Sequence, residues 1–254
     1  MNRIPKYVSN SDYRKLIWVT LFAIAMGMME SAVVIYLREL YYPEGFQFPI
    51  RATSTTVAVT ELLRELATII MLLGVGRIAG KNRHERFAWF IFSFAIWDIF
   101  YYIFLYLIIG WPASLAEWDV LFLIPIIWVG PVWAPACLSL LMILLARCIL
   151  HFSDKRKNSD LKPIEWFVLT GGSLTVIIAF CKEYYQFMTS HHPTISITQL
   201  FYSKQTISYT TQYIPGNFDV MTFILGCTVI CAGIGIYIIR NKRQVQQFHY
   251  KFKQ

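Results

Sequence analysis

Long apolar runs alternate with short polar ones along this chain, and the alternation sets the elements. The runs fall at about residues 16–37, 57–78, 87–109, 120–150, 165–185 and 220–240. A helix that crosses a bilayer needs about 20 consecutive, mostly apolar residues. The pattern therefore predicts an all-α integral membrane protein of about six transmembrane helices, forming a single polytopic domain over residues 1–254. No internal repeat and no second soluble domain interrupts it.

The fourth run is irregular. Its 31 residues are too many for one untilted crossing and too few for two, and it holds Pro125, Pro131 and Pro135, with Gly130 beside the second. Proline removes a backbone donor and clashes with the preceding helical turn. Non-helical backbone at membrane depth survives only where protein or a water-filled cavity satisfies it. Residues 120–131 are expected to form a broken or re-entrant outer segment, with the regular crossing following from about 133 to 150. A single long, kinked helix is the alternative. The loop at about 186–219 contains two stretches, 194–198 and 206–213, rich in Thr, Ile, Ser and Tyr. That composition suits strands, and a small hairpin over the outer face is expected there. Residues 154–160 read as a solvated linker.

Composition agrees with a membrane domain: 56% of residues are hydrophobic and only 15% charged, against about 25% charged in a typical soluble domain. The net charge of +8 does not point to nucleic acid, because the basic residues lie in loops. Eighteen of the 23 Lys and Arg fall on one side of the predicted crossings, four (Arg38, Arg51, Lys182, Lys204) on the other, and Arg64 lies inside the second helix. By the positive-inside rule both termini are cytoplasmic. A small basic multi-pass chain without sorting signals suggests a bacterial inner (plasma) membrane. Arg14 and Lys15 before Ala23-Ile24-Ala25 mimic a signal peptide, but the apolar run continues to Leu37, so an uncleaved first helix is expected. Tyr41, Tyr42, Phe46, Trp111 and Trp118 cluster at predicted outer ends, where amphipathic rings anchor.

The candidate chemistry sits inside these helices. Glu30 lies in the first, Glu61, Arg64 and Glu65 in the second, and Asp98 and Tyr101 in the third. Each charge at membrane depth costs roughly 2.5–3.5 kcal/mol on insertion scales. At about 1.5 Å per residue, Glu30 and Arg64 both lie roughly 10 Å below the outer ends of their helices, with Glu65 one residue deeper. Glu61 and Glu65 share a face and Arg64 adjoins it, so Arg64 is placed to pair with Glu30, Glu65 or Asp98. One Arg cannot neutralise three or four carboxylates. At least one of them is then protonated or answered by a partner outside these helices, such as a cation, a cationic ligand or water.

Other chemistries find less support. The five cysteines (Cys137, Cys148, Cys181, Cys227, Cys231) form no C-x-x-C pair and are expected to be buried, inert thiols. The histidines lie outside the helix cores and supply no Glu-x-x-His pair for a carboxylate-bridged di-metal site; no metal and no cofactor are expected, and His191-His192 read as solvated loop residues. No G-x-S-x-G, P-loop or G-x-G-x-x-G is present. The pairs Gly74/Gly76, Gly171/Gly172 and Gly233/Gly235 suit tight helix contacts.

The expected function is binding or transport of a small polar or cationic ligand at an outward-facing acidic site, with the lipid bilayer as environment and self-association as a source of any pathway so short a chain lacks. Carboxylates whose proton affinities are pushed apart also support acid–base work, so an enzyme acting on a lipid or isoprenoid head group is the first alternative. A structural or assembly subunit, in which the charges only lock helices together, is the second.

Overall fold

The computed structural model describes residues 10–124, 126–155, 159–191 and 210–251. Six long helices and one short hairpin follow in chain order: α1 (Asn10–Tyr41), α2 (Thr55–Ala79), α3 (Arg83–Ile109), β1 (Trp118–Phe122), β2 (Trp128–Pro131), α4 (Trp133–Lys155), α5 (Pro163–His191) and α6 (Val220–Lys251). All but α2 are long and apolar enough to cross a membrane. At 25 residues α2 is long enough, but its N-terminal half carries Glu61, Arg64 and Glu65, and it is not among those five.

The helices overrun the apolar runs at several ends because polar residues there find partners. The N-terminal turns of α1 continue below the apolar run, where the Lys15 ammonium donates to the Ala79 carbonyl at 2.7 Å. Ser54 caps α2 by accepting from the Val57 N–H. Asn82 caps α3 by accepting from the His84 and Glu85 N–H groups, and Gly110 ends α3 in the left-handed region at φ 68°, where glycine has no Cβ penalty. Asp219 caps α6, accepting from the Thr222 N–H at 3.0 Å while also pairing with Lys182. Lys182 and the Thr222 donors hold the Asp219 carboxyl down to about 2. A depressed carboxyl stabilises the fold above its unfolded value of 3.8, and that contribution is lost as pH falls toward 2. Asp219→Ala should cost about 1 kcal/mol, the usual worth of an N-cap; thermal unfolding in detergent at neutral pH measures it, and the difference from wild type should shrink in acid.

α3 is the hub. α1, α2 and α4 pack on it, while α1 and α2 barely touch each other; α5 and α6 form the most extensively packed helix pair, and α4 links the two groups. Glycine permits two close helix crossings. A Cβ on Gly76 would lie 2.5 Å from the Arg86 carbonyl oxygen, and one on Gly172 would lie 2.9 Å from the Gly226 carbonyl oxygen. Only one member of each expected pair does this in full: Gly74, Gly171 and Gly235 face open space.

The fourth run breaks, in a form the sequence did not predict. Trp118–Phe122 and Trp128–Pro131 form an antiparallel two-stranded ribbon, with Trp118 opposite Pro131 and Phe122 opposite Trp128. Val120 and its neighbours are thus strand instead of membrane helix. A run apolar on every side carries no period that separates strand from helix. α4 then begins at Trp133. Pro135 sits in its first turn, where the missing N–H would have no intrahelical partner anyway, so it does not interrupt the helix.

The stretch 194–198 lies outside the described residues, as does the first half of 206–213; in the second half Thr210 is helical, residues 211 and 212 form a turn, and none is strand. The thiols also differ from expectation. All five are free, but Cys137 and Cys231 are exposed on the helix surfaces and the other three are half-buried. An apolar run marks lipid contact as readily as core.

Candidate functional site

The site lies where α1, α2 and the hairpin meet α3. α1 is seated by its small residues: Gly27 lies against Trp97 and Phe100, and the Ser31 hydroxyl donates to the Gly27 carbonyl at 2.7 Å and the Tyr101 carbonyl at 3.0 Å. This seating brings Glu30 opposite Arg64 of α2. The Arg64 guanidinium spans two carboxylates: its Nη1 pairs with Glu30, and its Nε and Nη2 donate to Glu61 Oε2 at 2.9 and 2.7 Å. The three side chains keep between 14 and 21% of their surface exposed, so the bridge joins α1 to α2 without being fully buried.

Glu65, one turn from Glu61, does not join them. Both its carboxylate oxygens accept from the Leu123 N–H at 3.1 Å, which ties α2 to the tip of the hairpin. Phe122, beside that tip, stacks on Phe94 at 6.1 Å and meets Trp97 edge-on. Trp97 lies twelve residues before the end of α3, about 18 Å along the helix.

Asp98 faces the other way. It accepts from the Ser139 hydroxyl of α4 at 2.8 Å and does not reach Arg64. Tyr101 instead donates to Asp119 of β1 at 3.3 Å. Asp119 is 3% exposed and pairs with Arg38 Nη2 at 3.3 Å. The Arg38 guanidinium lies 3.7 Å from the Trp111 ring centre and 4.5 Å from that of Phe46, a cation held over two aromatic faces.

Of the six residues singled out from sequence, three (Glu30, Glu61, Arg64) form one ion-paired set. Glu65, Asp98 and Tyr101 each turn to a different element. Arg38 and Asp119 were missed. Arg38 stands at the end of α1 and reads as a loop cation. Asp119 precedes the fourth apolar run and reads as its polar boundary. The available signal was that both are charges of opposite sign at the ends of apolar runs predicted to lie at one level, each obscured by a nearer charged neighbour, Glu39 or Glu117.

Two surface hollows among the described residues are not lined by these residues. One of ≈ 390 Å³ is walled by Phe46, Phe48, Trp111 and Trp118 with Glu117, at the Arg38 end. The other, of ≈ 400 Å³, lies on α6 at Ile236, Ile239, Arg240, Arg243 and Gln244. Among the described residues no group of three or more His, Cys, Asp or Glu is arranged to hold a metal ion. His191 accepts or donates within its own helix, 2.8 Å from the Phe187 carbonyl; His192 lies outside the described residues. Set against known proteins, the chain matches no family model, no curated protein and no solved structure.

Proposed function

We propose that this multi-pass helical protein crosses the membrane six times, α2 included, with the hairpin re-entering from the outer side and both termini on the basic, cytoplasmic face of a bacterial inner membrane. In that membrane it binds a small polar or cationic ligand at the acidic set around Glu30, Glu61, Arg64 and Glu65. Support for counting α2 is its antiparallel packing along α3 and the exposed apolar side chains of Val59, Leu63, Leu66, Ile70 and Leu73, which suit lipid contact.

The observation that carries the ligand reading is an imbalance of charge. Five carboxylates (Glu30, Glu61, Glu65, Asp98, Asp119) lie on α1, α2, α3 and the hairpin against two guanidiniums (Arg38, Arg64) that pair with only three of them, and Glu65 and Asp98 are hydrogen-bonded only by neutral donors among the described residues. Ionisable groups at this depth are costly and mark function by default. A cation brought to Glu65 would offset part of that cost, and so would a proton. Sparse contact between α1 and α2 and the partial exposure of the bridging side chains favour access.

The assembly reading also has an observation in its favour. Arg64 is fully engaged by Glu30 and Glu61, and neither open hollow reaches the set. One experiment separates the two. The purified chain in detergent is titrated with sodium, potassium or tetramethylammonium chloride at constant ionic strength while its thermal unfolding is followed. Ligand binding predicts a saturable upward shift for at least one cation, since a ligand that binds only the folded state stabilises it. The shift should vanish in Glu65→Gln, whose amide oxygen can still accept from Leu123. If no cation shifts wild type, the binding reading falls and the helix-locking one remains.

A further inference from the structure

The second hollow lies at the opposite end of the bundle from Arg38, and its lining residues, at 236, 239, 240, 243 and 244 of α6, each have another three or four positions away, so they share one face. Its upper part is apolar. Ile236 and Ile239 are exposed, and above them the same helix exposes Leu225 and Met221, leaving an apolar stripe along a spanning helix. Its lower part is cationic.

Arg240 is fixed in place. Its Nε and Nη2 donate to the fully buried Glu165 carboxylate at 2.6 and 2.9 Å, and Nη2 also donates to the Asp160 carbonyl at 2.8 Å. Its remaining nitrogen, Nη1, is buried and makes no hydrogen bond among the described residues. Glu165 neutralises Arg240, but Arg243, one turn further on, is exposed and has no ion pair among the described residues. The hollow therefore keeps a net positive charge directly below an apolar surface.

We propose that this hollow is a binding site for an anionic phospholipid, with the phosphate against Arg243 and an acyl chain along Ile236 and Ile239. The inference is independent of the acidic site. A zwitterionic lipid offers the same chain but no net charge to match the guanidinium, and free phosphate offers the charge without the chain. Each basic residue near an anionic lipid surface contributes roughly fivefold in affinity, which sets the expected size of the effect.

The test is native mass spectrometry of the detergent-purified full chain with phosphatidylglycerol and phosphatidylcholine of identical acyl chains. The first phosphatidylglycerol is expected to bind about fivefold more tightly than the first phosphatidylcholine. Arg243→Gln should bring the two to near equality, and Arg243→Lys should restore the preference. Arg83→Gln, which removes another exposed cation from the same end of the bundle, should leave it intact. Equal affinities in wild type would overturn the proposal. So would an Arg83→Gln loss as large as that of Arg243→Gln, because the preference would then be a property of the whole basic face. Displacement of the lipid by inorganic phosphate would replace the lipid site with a simple anion site.

Discussion

Asp119→Ala is expected to be the most damaging single side-chain truncation in this protein, lowering stability by about 3–5 kcal/mol. Asp119 and Arg38 are 3% and 8% exposed, and removing one partner of a buried pair leaves the other charge uncompensated. Arg38 has little room to escape to water, because Trp111 and Phe46 flank its guanidinium and its Nη1 already lacks a hydrogen-bond partner among the described residues. Tyr101 would lose its acceptor as well. At about 2–4 °C per kcal/mol for a chain of this size, the melting temperature in detergent should fall by roughly 10 °C. Replacing both residues, as in Arg38→Met with Asp119→Leu, should recover most of the loss, since apolar substitution of a whole buried pair is often neutral or stabilising. A drop of about 1 kcal/mol or less for Asp119→Ala would mean that the pair is hydrated and the hairpin is not clamped by it.

The second large effect concerns the backbone. In Gly226→Val the new Cβ would stand 2.9 Å from both the Gly172 carbonyl oxygen and the Val176 nitrogen. Neither obstacle can rotate aside, so α5 and α6 must move apart along the most extensive helix contact in the fold. Overpacking usually costs 1–3 kcal/mol; with backbone on both sides, about 3 kcal/mol and a sharp loss of monodisperse protein are expected. Gly171→Ala is the internal control, because nothing lies within 4 Å of a Cβ there. Size-exclusion recovery and thermal unfolding of the two variants should differ clearly; equal behaviour would show that the pair tolerates separation.

These contacts mark how far local reasoning reaches. The pairing of Arg64 with Glu61 was legible because residues three apart on a helix are neighbours whatever the fold does. Its pairing with Glu30 was legible as a level match between two helices, and the seating of α1 on α3 through Gly27 and Ser31 realises it. The same arithmetic placed Glu65 and Asp98 within reach of Arg64, and there it failed. Depth along a helix says nothing about rotation around it. α2 turns Glu65 toward the hairpin and α3 turns Asp98 toward Ser139 of α4, so residues at nearly one depth serve three different interfaces.

From the sequence alone came the helical membrane character, the approximate run of each helix, the interruption near Pro131 and the presence of costly charges at depth. All of these depend on composition and near-neighbour spacing, which the chain carries wherever it goes. The tertiary structure decided that the interruption is a β-ribbon, that Arg38 and Asp119, separated by 81 positions, form a buried pair, and which carboxylate meets which donor. Those outcomes depend on how the helices rotate against α3, and rotation is settled by packing of side chains far apart in the chain, of which a linear pattern holds no record.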